Sequence, residues 1–313
     1  MIELKDITKV YSLGAFGKRK LTAVDNVSFS IGEGKIISLI GESGSGKTTI
    51  GKMMLKLIPI TKGQILFQGK DLSLFKGEKL KEYYRYVQGV FQDPFSSFNP
   101  IFKADRIFEL VKSEFFPELT GREWQIHVLD ALESVGLNPK TVLNKFPHQL
   151  SGGQLQRMLI ARALLLDTKF LVADEIISML DASTRIDVLN ILAELKKGGL
   201  SILFITHDLS LGYYISDESI ILYRGSVMEA GKTEKVFSTP LHPYTRMLLD
   251  AVPRIDRKWT TFEIPERKAV GSDTIGMCKY YDRCPLATKE CEAQGLIKVE
   301  EDHHVACWRW NDV

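Results

Sequence analysis

An α/β fold, with a mixed sheet flanked by helices, a helical layer and a small irregular cysteine-containing tail, is the architecture this sequence predicts. Ile36-Ile37-Ser38-Leu39-Ile40 is an Ile-rich apolar run that reads as a buried strand. The glycine-rich turn Gly41-Glu42-Ser43-Gly44-Ser45-Gly46 follows at once, and residues 47–57 then read as a helix. Two more apolar runs of strand length, Phe170-Leu171-Val172-Ala173 and 201–206, are joined by a helical pattern over 184–197. Strand, helix, strand in that order is the connection a parallel sheet requires.

Taken in order, Ile2-Glu3-Leu4-Lys5 alternates as a strand does, and so do residues 21–31, with a turn region at 14–20 between them. Tyr11 closes the first strand pattern. It has two readings: a platform for a purine base, or an aromatic filling an edge of the sheet. Gly32-Glu33-Gly34 is a turn signal before the buried strand. Residues 63–69 read as a strand, 77–85 as a short helix, and 86–91 lead into Gln92-Asp93-Pro94, where Pro94 and Pro100 bracket a loop. Residues 104–146 are mostly helical, over 106–113 and 122–135, with Gly136 placed as a C-cap, so the middle portion forms a separate helical layer. Ser151 is an N-cap candidate for a helix over 154–166, and Gly152 and Gly153 beside it offer a second anion cradle.

The spacing of Gly41 to Gly46-Lys47-Thr48 carries specific chemistry. Successive backbone N–H groups wrap a polyphosphate best, which needs a close, sharply turning chain and hence glycine. The helix start adds its positive dipole end. Lys47 supplies a point charge for the β/γ-phosphates and the Thr48 hydroxyl a ligand for Mg²⁺, so the loop binds a nucleoside triphosphate. Asp174 and Glu175 stand at the tip of one core strand and His207 at the tip of another, which is where open α/β sheets bind ligands. Their adjacency turns the two carboxylates different ways: Asp174 toward Mg²⁺, Glu175 toward a water it polarises.

Composition limits the alternatives. The chain has 313 residues, 44% of them hydrophobic, enough for one large domain or two smaller ones. A net charge of +2 asks for no nucleic acid. No apolar run reaches 18 residues and Met1 leads directly into Glu3-Leu4-Lys5-Asp6, so the expectation is a cytosolic chain without a span of its own.

In order and spacing, residues 41–48, Gln92, Leu150-Ser151-Gly152-Gly153-Gln154, 170–175, Ser178-Met179-Leu180-Asp181 and His207 closely resemble an ATP-binding cassette ATPase. They look like its Walker A loop, Q-loop, signature, Walker B strand, D-loop and switch histidine, and the likeness covers about residues 1–240. Gln92-Asp93-Pro94-Phe95-Ser96-Ser97-Phe98-Asn99-Pro100, Leu241-His242-Pro243-Tyr244-Thr245 and the cysteine tail resemble the oligopeptide/dipeptide importer subgroup.

The resemblance implies a nucleotide-binding core over 1–85 and 166–235, a helical signature subdomain over 86–165 and a C-terminal extension over 236–313. It implies a head-to-tail dimer with ATP sandwiched between subunits. Gly41, Ser43, Gly44, Ser45, Gly46, Lys47, Thr48 and Thr49 of one subunit hold the phosphates, while Ser151, Gly152, Gly153 and Gln154 of the other complete the cage. Thr48, Gln92 and Asp174 attend Mg²⁺, Glu175 activates the attacking water, and His207 contacts the γ-phosphate. Implied partners are a second ATPase subunit, a paralogue or a second copy, and two membrane permeases, with an extracytoplasmic substrate-binding protein acting indirectly. That places the chain at the cytoplasmic face of the cell membrane. One departure stands out: the family usually has Pro-Thr after the Walker B glutamate, and here the pair is Ile176-Ile177.

Cys278, Cys284, Cys291 and Cys307 form the tail's own pattern. Disulfides do not suit a cytosolic chain. Zinc normally shows a close Cys pair, absent here, although His303 and His304 are available as substitutes. Four thiolates on a loop-rich segment suit a [4Fe–4S] cluster, and unliganded cysteines behave as small buried hydrophobes. The resemblance to peptide-importer extensions, some of which carry such a cluster, favours iron and sulfur. Rival functions are weaker. A chromosome or DNA-repair ATPase needs a long heptad insertion that is missing, a ribosome-associated factor carries two cassettes, and a non-hydrolysing regulator lacks the Glu175 and His207 pair. Nickel complexes or oligosaccharides are the alternative cargoes among related importers.

Overall fold

The computed structural model describes residues 1–13, 19–252 and 276–313. Its strands are β1 (Ile2–Leu13), β2 (Arg19–Ile31), β3 (Ile36–Ile40), β4 (Lys62–Phe67), β5 (Lys70–Asp71), β6 (Val87–Val90), β7 (Phe170–Asp174), β8 (Ser201–Thr206), β9 (Glu218–Tyr223), β10 (Ser226–Lys232), β11 (Ile297–Glu300) and β12 (His303–Val305). The α-helices are α1 (Lys47–Met54), α2 (Glu78–Tyr86), α3 (Arg106–Phe115), α4 (Gly121–Ser134), α5 (Pro139–Val142), α6 (Gly152–Leu164), α7 (Ala182–Lys197), α8 (Leu209–Ile215), α9 (Thr233–Ser238) and α10 (Pro243–Asp250). Contacts divide the described residues into two units.

The first unit comprises residues 1–30, 36–72 and 204–313. It holds an antiparallel sheet of order β2-β1-β4-β5, in which Ile2 lies opposite Phe67 and Leu4 opposite Ile65. The alternation read in Ile2-Glu3-Leu4-Lys5 is the pleat itself: Ile2, Leu4 and Ile7 are buried while Glu3 and Lys5 are exposed. A second set of strands in this unit is mixed. β3 runs parallel to β9, β9 antiparallel to β10, and β12 and β11 extend it antiparallel. All five residues of β3 are buried, as an Ile-rich run covered on both faces must be. α1 ends at Met54, short of the expected Leu57. Lys56 takes a φ of 53°, a left-handed turn that stops the helix, and its Nζ donates to the Leu72 carbonyl.

Of the expected turn at 14–20, residues 14–18 lie outside the described residues, and Arg19 and Lys20 belong to β2.

The second unit comprises residues 31–35 and 73–203. β6 and β7 pair in parallel, Val87 with Phe170 through Val90 with Ala173. Helices α2 to α7 all fall within it, and α4 carries the capping box its Thr120 and Glu123 encode. Gly136 closes α4 in the left-handed region, with φ of 66°. No helix among the described residues is long and apolar enough to cross a membrane.

The C-terminal extension joins the first unit through a buried carboxylate. Glu229 on β10 is fully buried and accepts from the Leu241 and His242 backbone N–H groups, both at 2.9 Å, and pairs with His303 Nε2 at 2.8 Å. His242 is buried as well, and its Nδ1 accepts from the Tyr244 N–H at 3.0 Å as the cap of α10. Burial pushes the His242 imidazole down to about 3, so it is neutral in the folded chain. The unfolded chain takes up this proton near its ordinary 6.5 and the folded chain only near 3. Stability from this group is therefore complete above pH 6.5 and lost as pH falls toward 3, by about 1.4 kcal/mol per pH unit at most. His242→Asn keeps an acceptor for Tyr244 and removes the titration, so its thermal midpoint is expected to fall less between pH 7 and 5. An unchanged slope would show that the acid sensitivity lies elsewhere.

Candidate functional site

In the first unit, β3 delivers residues 41–46 to the start of α1. Two close approaches explain its first and last glycines. A Cβ on Gly41 would lie 2.1 Å from the Leu222 carbonyl oxygen on β9, and one on Gly46 would lie 2.4 Å from the Ala23 carbonyl oxygen on β2. Gly46 also has φ of 107°, so only glycine serves there without strain. The turn is closed by Ser45 N–H donating to the Glu42 carbonyl at 3.1 Å and by Gly225 N–H donating to the Ser45 carbonyl at 2.8 Å.

Lys47 is 4% exposed, and its Nζ donates to the carbonyls of Gly41 at 2.8 Å and Glu42 at 2.9 Å. The ammonium thus lies curled inside the loop it was predicted to charge. The buried Ser45 Oγ has no hydrogen-bond partner among the described residues. A buried hydroxyl without a partner, a helix N-terminus and an enclosed ammonium are what a phosphate chain requires, and these residues fit it. Thr48 and Thr49 begin α1. Tyr11 is half-buried on β1, an inner strand of its sheet rather than an edge, with Lys9 Nζ 5.0 Å from its ring centroid. His207 is exposed just after β8, and the next residue, Asp208, caps α8 by accepting from Ser210 and Leu211 N–H groups.

The second unit carries the carboxylates. Asp174 ends β7 and is 4% exposed, whereas Glu175 leaves the strand with φ of 50°. A non-glycine residue there is uncommon, and such backbone strain concentrates at functional positions. Ser178 donates to the Glu175 carbonyl from both N–H (3.1 Å) and Oγ (2.9 Å), which secures the turn. The departure Ile176-Ile177 is buried, so the usual Pro-Thr is replaced by core packing. Asp181 caps α7: the Ser183 hydroxyl, the Thr184 N–H and the Thr184 hydroxyl all donate to it and hold its carboxyl well below the usual range.

Ser151 caps α6 as expected, by a reciprocal box with Gln154: Oγ accepts from the Gln154 N–H at 3.2 Å and Gln154 Oε1 accepts from the Ser151 N–H at 2.9 Å. Because Ser151 is the cap, α6 starts at Gly152 instead of residue 154. Gly152 and Gly153 occupy its first turn, and Gln92 is exposed in the loop after β6. Asp174, Glu175, Gln92 and the signature residues therefore share one unit, and the phosphate loop, Tyr11 and His207 the other.

The expectation of an iron–sulfur cluster on the cysteines finds no support in the structure. Cys278, Cys284, Cys291 and Cys307 do line one cavity, but its volume is about 20 Å³, room for roughly one water. Among the described residues no three His, Cys, Asp or Glu side chains are arranged to hold a metal ion. The structure gives the expected [4Fe–4S] cluster no support. Burial pushes the Cys278 thiol up and the Cys307 thiol up to about 11, the protonated form of a packed hydrophobe. Cys278 and Cys284 pack against the core of Ile40, Ile221, Tyr223, Tyr244 and Tyr280.

Two family models match the chain: "ABC transporter" over residues 24–178 and "Oligopeptide/dipeptide transporter, C-terminal region" over 228–291. The oligopeptide transport ATP-binding protein AppF of Bacillus subtilis is 38% identical over 323 aligned positions, covering 98% of this chain and 96% of AppF. The chain belongs to the ABC transporter ATP-binding proteins. The oligopeptide transport ATP-binding protein OppF of Streptococcus mutans is 43% identical over 264 residues, 82% of each chain. An ATP-binding cassette dimer solved in a post-hydrolysis state with ADP and phosphate superposes with a TM-score of 0.67 at 28% identity, over 74% of this chain and 99% of that one. Glu42, Tyr244 and Arg283 were not among the expected site residues of this ABC protein. Tyr244 OH accepts from the Glu42 N–H, and Arg283 Nη1 donates to the Glu42 carboxylate. A Glu at the second position of the glycine-rich loop was the signal in the sequence.

Proposed function

We propose that this chain is the ATP-hydrolysing subunit of an importer for di- or oligopeptides, working at the cytoplasmic face of the membrane. The observation that carries the reading is the strained Glu175 directly after buried Asp174, in a chain whose Lys47 and Ser45 already form an anion cradle. Peptide cargo is supported by the match of residues 228–291 to the oligopeptide/dipeptide transporter region.

In this reading, residues 41–49 hold the triphosphate, with Lys47 turning from the Gly41 and Glu42 carbonyls to the β- and γ-phosphates. Tyr11 stacks on the base. Thr48, Asp174 and Gln92 hold Mg²⁺, which supplies charge neutralisation for the leaving phosphates when bound. Glu175 accepts the proton of the attacking water, and His207 donates to the γ-phosphate. Ser151, Gly152, Gly153 and Gln154 of a second ATPase subunit, paralogue or copy, close the cage with the amide donors of their helix start. Residues 86–165 form the layer that carries this signature, and the loop after Gln92 meets the permeases.

Two measurements test this together. Affinity-tagged chain is expected to co-purify from membranes with two permeases, and transport of labelled peptide into vesicles is expected to require ATP inside. Isolated chain is expected to bind ATP yet show specific activity that rises with protein concentration. Concentration-independent activity in a proven monomer would refute the shared site, and import of another solute class without peptides would refute the cargo.

A further inference from the structure

Residues 279–283 of the extension are fastened beside the phosphate loop of the same unit. Arg283 Nη1 donates to Glu42 Oε1 at 2.9 Å and Oε2 at 3.2 Å, across 241 residues of chain. The Arg283 side chain is 10% exposed, and its guanidinium lies 6.0 Å from the Tyr223 ring centroid and 5.8 Å from that of Tyr280. Tyr223, Tyr244 and Tyr280 pack mutually with centroids 4.6 to 5.3 Å apart. Two further ties hold the segment: Arg224 to Asp282 at 2.8 Å and Lys279 to Asp25 at 2.8 Å. Tyr223 is also the neighbour of Leu222, whose carbonyl closes against Gly41. From the same cluster the Tyr244 hydroxyl accepts from the Glu42 N–H at 3.2 Å, so one loop residue is gripped at both backbone and side chain.

A carboxylate one residue into an anion-binding loop opposes the ligand, since like charges raise each other's energy. Arg283 offsets that charge, and it does so from a buried aromatic seat that leaves the guanidinium little freedom.

We infer that Arg283 and Tyr244 are positioning residues for the nucleotide site: through Glu42 they set the charge and shape of the phosphate loop, so that ATP affinity depends on the docked C-terminal extension. The inference rests on residues 41–48 being the phosphate loop. Titration of the full chain with a fluorescent ATP analogue tests both. Arg283→Ala is expected to weaken binding about tenfold by exposing the Glu42 charge. Arg283→Lys restores most of the loss, and the double variant Glu42→Gln with Arg283→Ala binds better than Arg283→Ala alone. In steady-state turnover the Arg283→Ala loss falls on KM, with kcat nearly unchanged. Wild-type affinity in Arg283→Ala, or a double variant no better than the single one, overturns the inference. Should Arg283→Ala fail to fold, Glu42→Gln alone decides: it leaves Arg283 as an uncompensated cation and is expected to tighten binding, and weaker binding refutes the charge argument. A wild-type chain that binds no nucleotide overturns the reading of the loop instead.

Discussion

Glu175→Gln is expected to slow ATP turnover by about 10²- to 10⁴-fold, the range lost with a general base, while nucleotide binding persists. The substitution keeps the shape of the side chain and removes its negative charge and its capacity to take a proton. The backbone around it is held independently: φ of 50° at Glu175 is secured by two hydrogen bonds from Ser178, and Ile176 and Ile177 are buried beneath the turn. A glutamine retains all of that. Phosphate release measured beside equilibrium binding of ATP separates the outcomes. Unchanged phosphate release would remove Glu175 from the chemistry, and loss of binding together with turnover would point to a displaced turn.

Glu229→Leu is expected to cost about 3–5 kcal/mol of folding stability, read as a lowered denaturant midpoint, because it strips a buried carboxylate from its partners. The Leu241 and His242 N–H groups and His303 Nε2 all converge on Glu229. A leucine of similar bulk leaves the two amides orphaned without opening a large cavity, so the cost comes from polar groups and not from packing. Glu229→Gln retains one acceptor oxygen and is expected to cost less than Leu. His303→Ala loses one partner, leaves both backbone donors bonded, and is expected to fall between wild type and Glu229→Leu. A Leu variant as stable as wild type would mean that the extension is held elsewhere. The same residue links function to stability, since Glu229 fixes the chain just before Tyr244, whose hydroxyl reaches the phosphate loop.

Local signals carried much of the fold. The buried run of β3, the alternation of β1 and the capping serine of α6 are each encoded within a few residues, so pattern and turn chemistry suffice to place them. The end of α1 was less visible, because a lysine with φ of 53° has no compositional mark. The cysteines were no more legible, for a related reason. Their spacing suits several ligands, and the cavity they line, about 20 Å³, is a property of the packed chain that spacing does not encode.

The sequence by itself determined that this is an α/β nucleotide-binding ATPase subunit. The phosphate loop, the Asp174-Glu175 pair and the 150–154 signature are contiguous motifs whose chemistry follows from residue type and spacing. Only the tertiary structure decided where the C-terminal extension is fastened. The contacts that matter there, Arg283 to Glu42, Tyr244 to the Glu42 N–H and His303 to Glu229, join residues 74 to 241 positions apart. No periodicity or turn signal spans such distances. The first two exist because burial of Tyr223, Tyr244 and Tyr280 in one core brings their polar neighbours within hydrogen-bonding reach of the loop, and the third because β12 pairs with β10.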